Sequence, residues 1–226
     1  MYCYYHFTFK ITVSIIVLSV MISMPIGGTL AEIFGRKRTL IIGQLCILIG
    51  WAVVYIARQF LILLLGRFLV GFGIGTSLPV TMLHLSEISL IRMRGTLSMM
   101  GYLVMNMGCI YSFTMASQLS LKALIIATTI PSILFLFFSI FLPESPVWLM
   151  KKGQIEKSQK TLLALRGPRY EMNPEIKELQ DLVVSQDNTT LIEKIQELKS
   201  RSNAIPFLVM TTIMMLQVNI DFFFHF

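Results

Sequence analysis

Apolar residues run for about twenty positions at a time along this chain, and short charged stretches separate the runs. A helix that crosses a hydrocarbon core needs about 20 such residues. The pattern therefore predicts spanning helices over residues 11–31, 40–56, 60–85, 96–116 and 121–142, with a sixth run over 205–226. Between Lys151 and Arg201 the chain turns polar and keeps a helical period, which predicts three short helices over 154–165, 174–184 and 191–199. Asn173-Pro174 reads as an N-cap followed by proline in the first turn, and Thr190 with Glu193 reads as a capping box.

The cations are distributed unevenly among the loops. Arg36, Lys37 and Arg38 follow the first run, Arg92 and Arg94 the third, and Lys151 and Lys152 the fifth; the intervening loops offer Arg58 and Lys122. Lys and Arg mark cytosolic loops. The alternation predicts an outside N-terminus, with residues 1–10 extracellular, 11–149 in the membrane, 150–203 a cytosolic helical domain, and 204–226 the start of another membrane helix. An outside N-terminus with no signal peptide leads to the expectation of an upstream helix absent from this chain.

Composition strengthens the membrane reading. Of 226 residues, 55% are hydrophobic and only 14% charged, with a mean hydropathy of +0.73, outside the range of ordinary soluble domains. The net charge of +7 does not point to nucleic acid, because the cations sit at the ends of apolar runs and not on one polar face. Cys3, Cys46 and Cys109 have neither paired nor metal-ligand spacing. The three histidines are scattered and no phosphate-binding loop is present, so no enzyme chemistry, cofactor or metal is expected. Asn188-Thr189-Thr190 matches a glycosylation acceptor, but a cytosolic segment never meets the enzyme. No organelle address is evident, which makes the plasma membrane the default location.

Charged residues recur at the cytosolic helix ends. Glu32, Arg36 and Lys37 surround Gly35, with Glu32 set to face Arg36 one helical turn on. Arg67 follows Gly66 in a glycine-rich run through Gly71, Gly73 and Gly75, a pattern that lets helices approach closely. Glu87 and Arg94 flank the third exit, and Glu144 follows the fifth helix. Unpaired charges there are costly, so these residues suggest an ionic latch that closes in one conformation and opens in another.

Taken in order, the Gly35-Arg36-Lys37 turn, Gly66-Arg67, Glu87 with Arg94-Gly95, and Pro143-Glu144-Ser145-Pro146 with Trp148-Leu149 resemble the sugar porter family of the major facilitator superfamily over roughly residues 10–185. Leu165-Arg166-Gly167 with Tyr170, Pro174 and Glu175 is similar to the insect facilitated trehalose transporters. The resemblance implies an all-α membrane protein, one half of the superfamily fold, with family helices two to six complete and a seventh begun. It implies transport of a sugar of the glucose or trehalose class by facilitative alternating access, with substrate near the bilayer midplane.

By the same resemblance Glu32, Arg36, Lys37, Arg67, Glu87, Arg94 and Glu144 carry the latch, while Val147 stands where the family has an Arg. Tyr102 occupies the position of a sugar-binding Gln, and Asn106, Gln217 and Asn219 are the other polar candidates; for each, a helix-packing role is the alternative. His84 stands where a Tyr is usual, at a helix end where packing is the expected role. The partners implied are the sugar, the lipid bilayer, and a second porter half or full-length porter. Two other readings remain: a non-transporting half-porter, and an organic cation or solute transporter of the same fold.

Overall fold

At Gly35 the chain reverses direction within a single residue. Helix α1 (Tyr2–Phe34) ends and α2 (Arg36–Ile56) begins on either side of it, with Gly35 at φ 100°, a region that side-chain-bearing residues avoid. The turn belongs to a computed structural model that describes residues 2–90, 93–167 and 176. The remaining elements are α3 (Phe60–Ile88), α4 (Arg94–Gln118), α5 (Leu121–Phe141), α6 (Pro146–Lys151) and α7 (Ile155–Arg166). The chain divides into two compact units, Met1–Met172 and Asn173–Phe226, and these seven helices belong to the first. Apart from residue 176, the helices expected over 174–184 and 191–199, the run over 205–226, Arg92, Gln217 and Asn219 lie outside the described residues.

Among the described residues, four helices are long and apolar enough to cross a membrane: Ile11–Phe34, Arg36–Ile56, Phe60–Ile88 and Lys122–Phe141. Helix α4, expected to span over 96–116, is 25 residues long but does not join them, because Tyr102, Asn106, Tyr111 and several hydroxyl residues dilute its apolar run. The first helix also starts earlier than expected. Residues 2–10 contain neither proline nor glycine, and α1 continues through them.

Helix α3 is the centre of the packing, with α1 and α2 against it, α5 beside α2, and α4 touching α3 and α5. The glycine-rich run makes this arrangement possible by serving two faces. A methyl group on Gly66 would sit 2.7 Å from Val54 Cγ2, and one on Gly73 would sit 2.5 Å from the Gly43 carbonyl oxygen, both on α2. A methyl group on Gly71 would meet the Ile16 carbonyl oxygen of α1 at 2.7 Å. Lipid is as apolar as leucine, so membrane helices associate by such close contact and by polar bonds between them. Ser19 Oγ donates to the Phe68 carbonyl at 2.7 Å, and Gln44 Nε2 to the Ser132 carbonyl at 2.9 Å. Leu61, Met99, Ile56 and Phe141 are exposed outward, the apolar surface that a bilayer covers.

The segment after α5 turns at Pro143 and enters α6 through Ser145, whose hydroxyl accepts from the Trp148 N–H at 3.3 Å. Pro146 opens the helix, where a missing N–H costs nothing. Helix α7, in the place expected for a helix over 154–165, packs on α6, and Ser158 Oγ donates to the Pro146 carbonyl at 2.9 Å.

Candidate functional site

Four helix ends converge where α1 turns into α2, and most of the charged residues singled out in the sequence meet there. Arg36, the first residue of α2, is buried. Its Nε donates to Glu87 Oε2 at 3.0 Å and its Nη2 to Glu87 Oε1 at 2.8 Å, so the carboxylate near the end of α3 is held by two parallel bonds. Its Nη1 donates to the Ala31 carbonyl at 3.2 Å. One guanidinium thus ties the end of α1, the start of α2 and the end of α3. Two charges taken from water are stabilised only when the geometry is good and the remaining donors are used, and here all three side-chain nitrogens of Arg36 have partners.

Glu144 approaches the same turn from the segment after α5. Its Oε1 accepts the backbone N–H of Arg36 at 2.9 Å, of Lys37 at 3.1 Å and of Ser145 at 3.2 Å. A helix N-terminus carries unpaired N–H groups and a partial positive charge, and α2 has glycine at its N-cap with no side chain to satisfy them. Glu144 supplies the missing acceptor. Gly35 makes the approach possible, because a methyl group there would sit 2.6 Å from Glu144 Oε2. Lys37 Nζ donates to the Ile140 carbonyl at the end of α5, at 2.6 Å. Beneath the charges, Ala31, Leu40 and Val80 form a buried apolar floor with Leu142 packed against it, which keeps water from the inner side of the Arg36–Glu87 pair.

The remaining residues of the expected latch are placed differently. Glu32 does not face Arg36, because the helix stops at Phe34 and the turn at Gly35 breaks the four-residue spacing. Its carboxylate is 68% exposed and lies 3.8 Å from Lys151 Nζ, while its backbone carbonyl accepts Trp148 Nε1 at 2.9 Å. Arg67 lies on α3 twenty residues before Glu87, about 30 Å away along the helix axis at about 1.5 Å per residue. It stacks over the Trp51 ring at 5.5 Å, with its Nε buried and without a hydrogen-bond partner among the described residues, and it takes no part in the cluster. Arg94 opens α4; its Nε is buried without a hydrogen-bond partner, and it forms no ion pair among the described residues.

Two bonds that sequence reasoning missed fasten the short helices to this end. One is the Trp148 bond to Glu32, and the other is Arg166 Nη1 donating to the Ile88 carbonyl at 3.0 Å. Both acceptors are main-chain carbonyls, which leave no trace in residue types. The unpaired carbonyls at a helix end are the general signal that a partner is needed.

Of the sugar-binding candidates, Tyr102 and Asn106 lie one turn apart on α4. Tyr102 is 50% exposed, and Asn106 Nδ2 donates to the Tyr102 carbonyl at 3.0 Å. The Tyr102 hydroxyl has no hydrogen-bond partner among the described residues. No residue of α4 is buried, so this polar strip is open to whatever faces it. Groups of His, Cys, Asp and Glu able to hold a metal are absent among the described residues.

Long apolar helices packed through glycine, with a charged cluster tying their ends, define an integral multi-pass membrane protein, and its likeness to solved structures gives it the fold of the major facilitator superfamily. The chain matches the xylose transporter XylE of E. coli in a partially occluded inward open conformation with a TM-score of 0.68 and 19% identity, covering 77% of this chain and 48% of that one. The chain belongs to the sugar (and other) transporter family, whose model matches residues 3–223. It is 29% identical to the sugar transporter ERD6 of Arabidopsis thaliana over 204 residues, 90% of this chain and 41% of that protein. It is also 29% identical to a facilitated trehalose transporter of Apis mellifera ligustica over 220 residues, 93% of this chain and 43% of that protein. The chain spans about two fifths of the length of these relatives.

Proposed function

We propose that this chain serves transmembrane transport of a sugar of the glucose or trehalose class by facilitative alternating access, in the plasma membrane. The observation that carries the reading is the tie between Arg36, Glu87 and Glu144, in a chain of the sugar (and other) transporter family. Alternating access needs a gate that is stable when closed and can be undone. A charge pair whose partners lie on separate helices meets that need, because it is stable only while the helix ends stay together.

In this reading residues 1–10 are extracellular, 11–149 cross the membrane, 150–203 are cytosolic and 204–226 enter the membrane again. The cluster is then the cytosolic latch, with Arg36, Glu87 and Glu144 at its centre, Lys37 bracing α5, and Glu32 with Lys151 at its rim. Arg94 joins the latch when a facing acid is presented to it. Tyr102 and Asn106 offer hydroxyl and amide groups to the substrate from α4, together with Gln217 and Asn219. A sugar site needs few polar groups in a largely apolar cavity, and the composition of α4 suits that.

The test is uptake of labelled glucose and trehalose, with an organic cation as competitor, into vesicles bearing the inserted chain. Saturable uptake of either sugar above empty vesicles is the expected result. Uptake of the cation alone, or of nothing despite confirmed insertion, would refute the proposal.

A further inference from the structure

Trp148 is fixed against the last turn of α1, where its Nε1 donates to the Glu32 carbonyl at 2.9 Å. The two residues that follow Glu32, Ile33 and Phe34, are exposed apolar side chains, part of the surface that lipid covers. The indole therefore sits where the apolar surface of α1 gives way to water, the depth at which tryptophan gathers in membrane proteins. Lys152 Nζ lies 5.9 Å from the centre of the same ring, so an ammonium group is held at that depth too. Lys152 is exposed and forms no ion pair among the described residues.

The charges around it do not balance. Over residues 151–160 four lysines, Lys151, Lys152, Lys157 and Lys160, stand against one acid, Glu156, and the last three lysines are exposed. Lys151 reaches only the outward-facing Glu32, at 3.8 Å. Arg38, exposed in the first turn of α2 at the same end of the bundle, has no acid within reach among the described residues. A place in the last turn of α6 accounts for Lys151, but not for Lys157 and Lys160 on the next helix. Lysines gathered directly beyond a spanning helix attract the headgroups of acidic lipids. We propose that Lys152, seated on Trp148 and backed by the other lysines of α6 and α7, binds acidic phospholipid headgroups at the bilayer surface. The apolar end of α1 meets the acyl chains while the ammonium groups meet the phosphates, so one lipid is engaged through both of its parts.

The proposal rests on the functional reading only for which leaflet supplies the lipid, and its test places acidic lipid in both leaflets and reads no transport. The chain has two tryptophans, so Trp51→Phe leaves Trp148 as the sole indole fluorophore. That chain is reconstituted into phosphatidylcholine vesicles containing phosphatidylserine, with bromine near the headgroup end of the acyl chains of either the serine or the choline lipid at equal mole fraction. Brominated phosphatidylserine is expected to quench Trp148 at least about twofold more strongly than brominated phosphatidylcholine. Raising salt from about 0.1 M to about 1 M should remove the difference. Lys152→Gln should at least halve it, and Lys152→Arg should keep it. If Lys152→Gln fails to insert, the salt series decides by itself. Equal quenching by the two lipids at low salt overturns the proposal and leaves the lysines as solvated charges. A difference that survives both high salt and Lys152→Gln overturns it as well, because the preference would then not come from these charges.

Discussion

Arg36 and Glu87, 51 positions apart in sequence, share two parallel hydrogen bonds of 3.0 and 2.8 Å and keep side-chain exposures of 2% and 10%. Removing one partner of such a buried pair leaves the other charge without compensation. Glu87→Ala is therefore expected to destabilise the folded chain by about 3–5 kcal/mol, read as a lower thermal midpoint in detergent. Lys151→Ala, which removes an ion pair of 3.8 Å with an exposed Glu32, should change stability by less than about 1 kcal/mol. Equal effects from the two substitutions would contradict the burial argument.

Gly35 is required by both its backbone and its neighbour. Alanine there must adopt φ near 100° and place its methyl group 2.6 Å from Glu144 Oε2. Gly35→Ala should cost about 1–3 kcal/mol from backbone strain alone. It should also speed amide hydrogen exchange at Arg36 and Lys37, whose N–H groups Glu144 holds. Unchanged exchange at those two amides would show that Glu144 does not cap α2.

The glycines of the bundle divide into those that meet a neighbour and those that do not. Gly66→Ala brings a methyl group to 2.7 Å from Val54 Cγ2 and 3.0 Å from the Val54 N atom, and should destabilise by about 1–3 kcal/mol. Gly108 on α4 has nothing within 4 Å. Gly108→Ala should be neutral or stabilising by up to about 1 kcal/mol. Thermal unfolding of the two variants side by side checks the contrast, and a reversed order would contradict the placement of α3 against α2.

Tyr102→Phe removes a hydroxyl from the half-exposed face of α4 without changing the ring. A hydrogen bond from that hydroxyl to substrate contributes about 0.5–1.5 kcal/mol, so the apparent KM for sugar uptake should rise by about 2–10-fold. An unchanged KM would remove Tyr102 from the binding site.

Charges at helix ends were the most legible part of the site. In a chain this apolar each charge stands out, and Arg36, Glu87 and Glu144 could be singled out from their positions alone. Their partners were less legible. The spacing of Glu32 and Arg36 suggested a pair only because one continuous helix was assumed through Gly35, where the backbone turns. Arg67 was grouped with the cluster by its motif, although its place early in α3 puts it at the other end of the bundle. The capping of α2 by an acid 108 positions away could not be read from spacing, since it depends on how α5 lies against α2. Trp148 and Arg166 reach main-chain carbonyls, for which side-chain types carry no signal. The length of α4 suggests a spanning segment, while Tyr102, Asn106 and Tyr111 along it lower its hydropathy.

The central claim is that the Arg36–Glu87 pair serves as a latch in sugar transport. The most direct measurement is sugar uptake into vesicles bearing the wild-type or the Glu87→Gln chain, at matched levels of inserted protein. Gln keeps the shape of the side chain and removes the charge that Arg36 holds. The account predicts saturable uptake by the wild-type chain and a loss of at least about tenfold in the variant, the effect of about 1.4 kcal/mol on the working equilibrium. Equal uptake by the two chains would contradict it, leaving the pair as a structural tie with no part in transport.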